Sequence, residues 1–157
     1  MPYPLFKRIL AAVDGTELAE EVLEAAIAIS KRFDSEVHVV HAIHGGVFAN
    51  LLKGDDEDEG TVIGPDGPVE EEDDDDAESV ARRMREHAEL HGTGIMVHTP
   101  EGSPGEEIVR LAEEVSADLI VLGSREKSLV RRLLVGSVSE YVIENSPVST
   151  LIVKPVP

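Results

Sequence analysis

Apolar positions recur along this chain in two alternating rhythms. Phe6 to Val13 (FKRILAAV) is almost continuously apolar after its first turn of charge and predicts a buried strand. From Glu17 to Phe33, apolar residues return at Leu18, Val22, Ala25, Ala26, Ile29 and Phe33, which is one face of a helix. Glu36 to Ala42 (EVHVVHA) predicts a second strand. Ala77 to His91 is a polar helix with a thin seam at Val80, Met84 and Ala88, stopped by Gly92. Gly94 to Thr99 is a short third strand. Ser103-Pro104-Gly105-Glu106 has the form of a capping box with proline at the first helical position. It opens a helix with Ile108, Leu111, Ala112 and Val115 on one face. Asp118 to Leu122 (DLIVL) is a strand apolar on both faces, a last helix runs from about Ser137 to Glu144, and Ser149 to Lys154 (STLIVK) closes the series before Pro155.

Five strands alternating with helices define an α/β fold, a parallel sheet with helices on both faces. In such sheets a ligand binds outside the carboxyl ends of the strands, where the strand order reverses. The positions of interest are therefore Asp14, Ala42 and Gly123, at the ends of the first, second and fourth predicted strands.

Residues 44–76 break the rhythm. They are rich in Gly, Asp and Glu and exceed the usual crossover length. The run EEEDDDD cannot collapse on itself, so a solvated, mobile insertion in a single domain spanning 1–157 is expected, with its acids biased toward the following helix start. Residues 55–78 hold 14 of the 32 carboxylates and no Lys or Arg. Outside them, 14 cations face 18 anions, so the net charge of -18 belongs mostly to one segment. Arginine outnumbers lysine nine to five. An acidic, lysine-poor chain suits a high-salt cell interior, as in a halophile. The charge disfavours nucleic acid as a partner. No apolar run approaches the ~18 residues of a membrane helix, and the start MPYPLFKRIL lacks a signal-peptide centre, so no membrane contact and a cytoplasmic location are expected. Without cysteine there is no thiol nucleophile and no thiolate zinc site.

Against this acidity, Arg125, Lys127, Arg131 and Arg132 gather between Gly123-Ser124 and Gly136-Ser137. A helix start offers free N–H groups and a positive dipole end, which suit phosphate. Glycine allows close backbone approach. The same features also describe solvated arginines beside a Gly-Ser helix cap, and the residues alone leave both readings open.

The segments ILAAVDGT (9–16), VVHAI (39–43), EGSPGEEIVRLAEEVSADLIVLGS (101–124) and VGSVSEYVIENSPVSTLIVK (135–154) together resemble the universal stress proteins. The resemblance implies a Rossmann-like five-stranded sheet in the order 3-2-1-4-5 and a homodimer paired through the C-terminal strand, 149–154. One branch of that family binds ATP through Gly, two residues, Gly, nine residues, then Gly-Ser or Gly-Thr. Gly123, Gly136 and Ser137 stand at the matching places, and Glu126 replaces the middle glycine. Carried over, the resemblance implies Asp14 near ribose and adenine, the Ala42 backbone at the adenine edge, and Gly123, Gly136, Ser137 and Val138 around phosphates whose charge Mg²⁺ shares. Arg125 joins this set on charge grounds.

Glu126 opposes the site. A carboxylate ~4 Å from a phosphate oxygen costs about 4 kcal/mol at an effective dielectric of ~20, and about 1 kcal/mol in water. A charge-assisted hydrogen bond from a nearby cation returns about 1.5–3 kcal/mol. Retained but weakened adenine-nucleotide binding by a stress regulator is the reading that results. The alternative is a nucleotide-independent dimeric adaptor of the same fold. Slow ATP hydrolysis comes last, because no residue is evidently placed as a base on an attacking water.

Other clusters carry less. His38, His41 and His44 sit three apart on a strand, point to opposite faces and are not expected to converge. His87 and His91 lie four apart on a helix and could share a metal, but no third ligand is evident, which favours a solvated face. Asp55, Glu57, Glu59, Gly60 and Asp66 follow a calcium-loop spacing only loosely. No site metal is expected from any of them.

Overall fold

Strand β1 (Arg8–Ala12) shows why the sheet is covered on both sides. Four of its five residues are buried. Ile9 and Ala11 enter one apolar cluster, Leu10 and Ala12 the other. Because successive side chains alternate, a strand apolar at every position must have a layer on each face. The computed structural model describes residues 5–14, 18–42, 63–64, 67–68, 76–124 and 137–155.

The first layer is formed by α1 (Leu18–Phe33) and α2 (Ala77–Leu90). Helix α1 contributes Ala19, Val22, Leu23, Ala26 and Ile27, and α2 contributes the seam Val80, Met84 and Ala88. The second layer is formed by α3 (Pro104–Glu114) and α4 (Ser137–Asn145), through Ile108, Leu111, Ala112 and Val142. Between them lie β1, β2 (Glu36–Val40), β5 (Met96–His98), β6 (Leu119–Gly123) and β7 (Ser149–Val153), all parallel, in the order β5-β2-β1-β6-β7. Counting sheet strands alone, this is the expected order 3-2-1-4-5. Two short strands, β3 (Ile63–Gly64) and β4 (Gly67–Pro68), pair antiparallel inside the acidic insertion. The sequence Gly-Pro-Asp-Gly at 64–67 has a turn-forming composition that agrees with this pairing.

The helix ends show how local chemistry sets the boundaries. Asp76, the last residue of the acidic run, caps α2: its Oδ1 accepts from the Ser79 N–H at 2.6 Å. That bond holds the Asp76 carboxyl below its ordinary range. At the other end Gly92, at φ 69°, takes the left-handed conformation that stops the helix. The capping box expected at α3 is not formed by side chains. Ser103 has the extended N-cap backbone but makes no side-chain cap bond. Proline at the first helical position carries no N–H, so one donor that would otherwise go unpaired at this helix start is absent. Gly105 is needed for another reason: a Cβ there would lie 2.7 Å from Tyr141 Cδ1, so this glycine lets α3 and α4 close together.

At the amino edge of the sheet, Asp118 accepts from the N–H groups of Lys7 at 2.7 Å and Arg8 at 3.2 Å, joining the starts of β1 and β6. A buried polar group interrupts the apolar face of β2. His38 Nδ1 lies 2.9 Å from His98 Nε2 on β5, and His38 Nε2 lies 2.6 Å from Glu36 Oε1. The histidine rings stack at 5.2 Å. Burial, then repulsion from His38, lowers the His98 pKa, while Glu114 on α3 opposes that shift.

Two outcomes follow. Leu10→Ala should cost about 2–5 kcal/mol of unfolding free energy, because Leu10 is wholly buried, whereas Leu90→Ala at 84% exposure should change it by under about 0.5 kcal/mol; urea unfolding measures both. The depressed His98 pKa means the folded state favours the neutral ring. Its contribution to stability is complete above the ordinary value of 6.5 and is lost as pH falls through the lower native value. Denaturation midpoints measured down the acid limb should decline less steeply in His98→Gln than in the wild type.

Candidate functional site

The carboxyl edge of the sheet brings together chain segments far apart in sequence. Ala12 pairs with Val40 on one side and Leu122 on the other. Just beyond, Val13 N–H donates to the Val40 carbonyl, His41 N–H to the His98 carbonyl and Ser124 N–H to the Val153 carbonyl, each at 2.9 Å. Asp14, Ala42 and Gly123-Ser124 therefore emerge along one edge. From β1 the chain winds outward through α1 to β2, and it later returns to place β6 on the opposite side of β1. The order reverses between β1 and β6, and the crevice of such a fold opens there. Asp14 is exposed at this point and Ala42 is half-buried. Ser137 begins α4, and Val138 packs half-buried against the second cluster. Arg125, Glu126 and Gly136 lie outside the described residues.

Gly123 sits where three elements meet. A Cβ on it would lie 2.5 Å from Leu18 Cδ2 and 3.3 Å from Val22 Cγ2, so its lack of a side chain lets the first turn of α1 settle on the end of β6. Its carbonyl accepts from Ser139 Oγ at 2.9 Å, which ties α4 to the same strand end. The sequence reading gave this glycine to a ligand; packing supplies a second, independent cause.

Two residues here were not singled out from sequence. Ser139 is buried and acts as the tie just described. Ser124 is 4% exposed, and its hydroxyl has no hydrogen-bond partner among the described residues. A polar residue placed directly after an apolar strand was the available signal. A buried hydroxyl costs free energy until it is paired. Ser124 Oγ at the head of the 125–136 stretch is thus a group that a phosphate or sugar oxygen could satisfy. His41 is also buried at this edge, at the end of β2.

The histidines depart from expectation. His38 meets His98 from the neighbouring strand, a partner that its own spacing does not show. His44 lies outside the described residues. For His87 and His91 the missing third ligand is present. Glu24 on α1 reaches them across the helix interface, its Oε1 lying 3.0 Å from His87 Nε2 and 3.8 Å from His91 Nε2. Helical spacing within one segment could not reveal a partner supplied by packing.

Comparison with known proteins bears on the edge site. The model of the universal stress protein family matches residues 5–154. Universal stress protein MJ0531 of Methanocaldococcus jannaschii is 33% identical over 151 residues, covering 96% of this chain and 83% of its own. The solved structure of hypothetical protein MJ0577 superposes with a TM-score of 0.71 at 28% identity, covering 97% of this chain and 98% of that one. A universal stress protein from Archaeoglobus fulgidus, solved in complex with dAMP, has a TM-score of 0.64 at 23% identity, covering 94% and 98%. With sheet order, helical layers and nearly the whole length in agreement, this chain belongs to the universal stress protein family.

Proposed function

We propose that this protein binds an adenine nucleotide, ATP or a relative of it, at the carboxyl edge between β1 and β6, and that it acts as a homodimeric stress regulator in the cytoplasm. The observation that carries the nucleotide reading is the Ser124 hydroxyl, buried and without a partner among the described residues, at the point where the strand order reverses. Asp14 stands exposed at the end of the adjoining strand, suited to a ribose hydroxyl. The helix that begins at Ser137 is tied to Gly123, so its amino end is held beside the same edge. The dAMP bound by the Archaeoglobus fulgidus protein is a ligand of the proposed class. Arg125 and the Gly136 amide would add charge and donors, Mg²⁺ would travel with the phosphates, and Glu126 would weaken the whole.

The contact of Gly123 with Leu18 favours a second reading. A glycine required by packing is present whether or not a nucleotide binds, as in a nucleotide-independent adaptor. Calorimetric titration with ATP·Mg²⁺ and with AMP separates the readings. Binding in the micromolar to millimolar range is expected, and Glu126→Gly should tighten it tenfold or more. Heat-silent titrations of both proteins at millimolar nucleotide would leave the adaptor. Ser124→Ala sharpens the test. Losing an unmatched hydroxyl should leave the free protein as stable or slightly more so. Losing its bond to a charged phosphate should weaken binding about 10- to 100-fold. If Ser124→Ala destabilises the free protein and leaves affinity unchanged, the hydroxyl serves the fold and the site reading fails.

For the dimer, support comes from β7, which among the described strands pairs only with β6 and forms an edge of the sheet. Leu151 on it is 39% exposed, and the preceding helix exposes Tyr141 and Ile143. An open edge bearing apolar side chains favours pairing with a second copy. Sedimentation in physiological or higher salt should give twice the chain mass of 17.0 kDa, and Leu151→Lys should shift the protein toward monomer. A wild-type monomer under those conditions would remove the dimer from the proposal.

A further inference from the structure

Helices α1 and α2 are joined by two rungs of side chains spaced one helical turn apart. In the first, Arg83 Nε lies 2.9 Å from Glu20 Oε1. In the second, four residues on along each helix, Glu24 faces His87 and, one further turn along α2, His91. Val80, Met84 and Ala88 are buried in the packing of α2 against the core that α1 shares, and this apolar seam fixes how the two helices lie. The second rung is therefore held in place by the packing of the helices, and its members do not meet by chance rotation of free side chains.

Glu24, His87 and His91 each place one donor atom within 4.8 Å of the other two, and Glu24 Oε1 faces Nε2 of both histidines. The two rings are tilted, with centroids 5.0 Å apart. A tetrahedral ion with bonds of about 2.0–2.1 Å places its donors roughly 3.3 Å apart. The distances of 3.0 and 3.8 Å lie either side of that figure. Small side-chain rotations would close the set without moving the backbone. Both histidines occupy the last turn and C-cap of α2, where free carbonyls and the negative dipole end favour a cation. His87 is largely shielded, whereas His91 and Glu24 remain accessible, so an ion can enter and keep water as a fourth ligand. Two imidazoles and one carboxylate suit Zn²⁺, Co²⁺ or Ni²⁺ better than Mg²⁺ or Ca²⁺, which prefer all-oxygen shells.

We propose that Glu24, His87 and His91 form a divalent transition-metal site that staples α1 to α2, separate from the nucleotide edge. The ion replaces the proton through which His87 Nε2 and Glu24 now share a hydrogen bond, and it adds a link to His91. Because it binds two helices that only the folded chain brings together, it stabilises the fold.

The test uses full-length protein stripped with EDTA, in nucleotide-free, phosphate-free buffer. Zn²⁺ should bind at one equivalent per chain with micromolar or tighter affinity and raise the thermal midpoint. Co²⁺ should give the visible absorption of a four-coordinate ion, and Zn²⁺ should displace it. The double variant His87→Gln/His91→Asn should bind at least 100-fold more weakly, and Glu24→Gln about 10- to 100-fold more weakly. Equal binding by the double variant would place the ion elsewhere, on the acidic segment or the His38–His98 pair, and overturn the proposal. So would absence of binding by the wild type at 100 micromolar Zn²⁺. Should the double variant fold poorly, ¹⁵N spectra of wild-type histidines decide: Zn²⁺ must shift His87 and His91 and leave His38, His41 and His98 in place.

Discussion

The architecture depends on burying the apolar run of β1, Ile9 to Ala12. Ile9, Leu10 and Ala11 have no exposed surface, and the strand is paired on both edges. A strand in that position needs helices above and below it and parallel neighbours to left and right. A right-handed crossover can serve one side only, so the chain must return and build outward in the other direction. The crevice at the carboxyl edge is the geometric consequence of that reversal. No residue has to be recruited to create it; Asp14 and Ser124 reach it because β1 and β6 end there.

Charge is organised around this frame. Outside the segment 55–78 the chain is close to balance, so the folded layers do not carry the repulsion that a net charge of -18 would suggest. The acidic run is joined to the fold at one described point, where Asp76 becomes the cap of α2. An anion at a helix start is stabilised by free N–H groups and by the dipole. The far end of the same helix carries His87 and His91 facing Glu24. Helix α2 therefore has an acid at its positive end and imidazoles at its negative end. The acid agrees with the macrodipole, as would protonated imidazoles, and the helix packs through Val80, Ala81, Met84 and Ala88.

Much of the fold was legible because periodicity reports burial. The continuous apolar runs of β1 and β6 and the seam of α2 were readable directly, within a residue or two at the ends. The face of α1 was read about one position off: Ala19, Leu23, Ile27 and Ser30 are buried beside Val22 and Ala26, whereas Leu18, Ala25 and Ile29 are half-buried and Phe33 is exposed. What was not legible has a common cause. His98 answers His38 across a strand pair, Glu24 answers His87 across a helix pair, and Tyr141 explains Gly105 across two helices. Each is a pairwise contact between segments whose sequences carry no mark of each other. The failed capping box belongs to the opposite class. Its letters were right, and Ser103 takes the extended cap backbone with proline at the first helical position, but the serine side chain makes no cap bond. At the edge site, Asp14, Ala42 and Gly123 were legible from topology alone, while Ser124 needed a measure of its burial and bonding.

Gly123 illustrates how a binding motif and a fold become inseparable. Glycine at the end of β6 looks like an accommodation to phosphate, yet Leu18 Cδ2 occupies the space a side chain would need. The same residue offers its carbonyl to Ser139 and so positions α4. Substituting it would disturb helix docking before any ligand was affected, so a loss of binding in such a variant would say little about contact with nucleotide. Glu126 is different in kind, because it follows the strand end and changes the charge that a phosphate would meet. A chain can thus retain the outer glycine of a nucleotide pattern for packing while its middle position departs. Ser124, whose buried hydroxyl the described contacts do not satisfy, is the residue here that packing leaves unexplained, whereas the glycine that makes the motif recognisable is accounted for by Leu18.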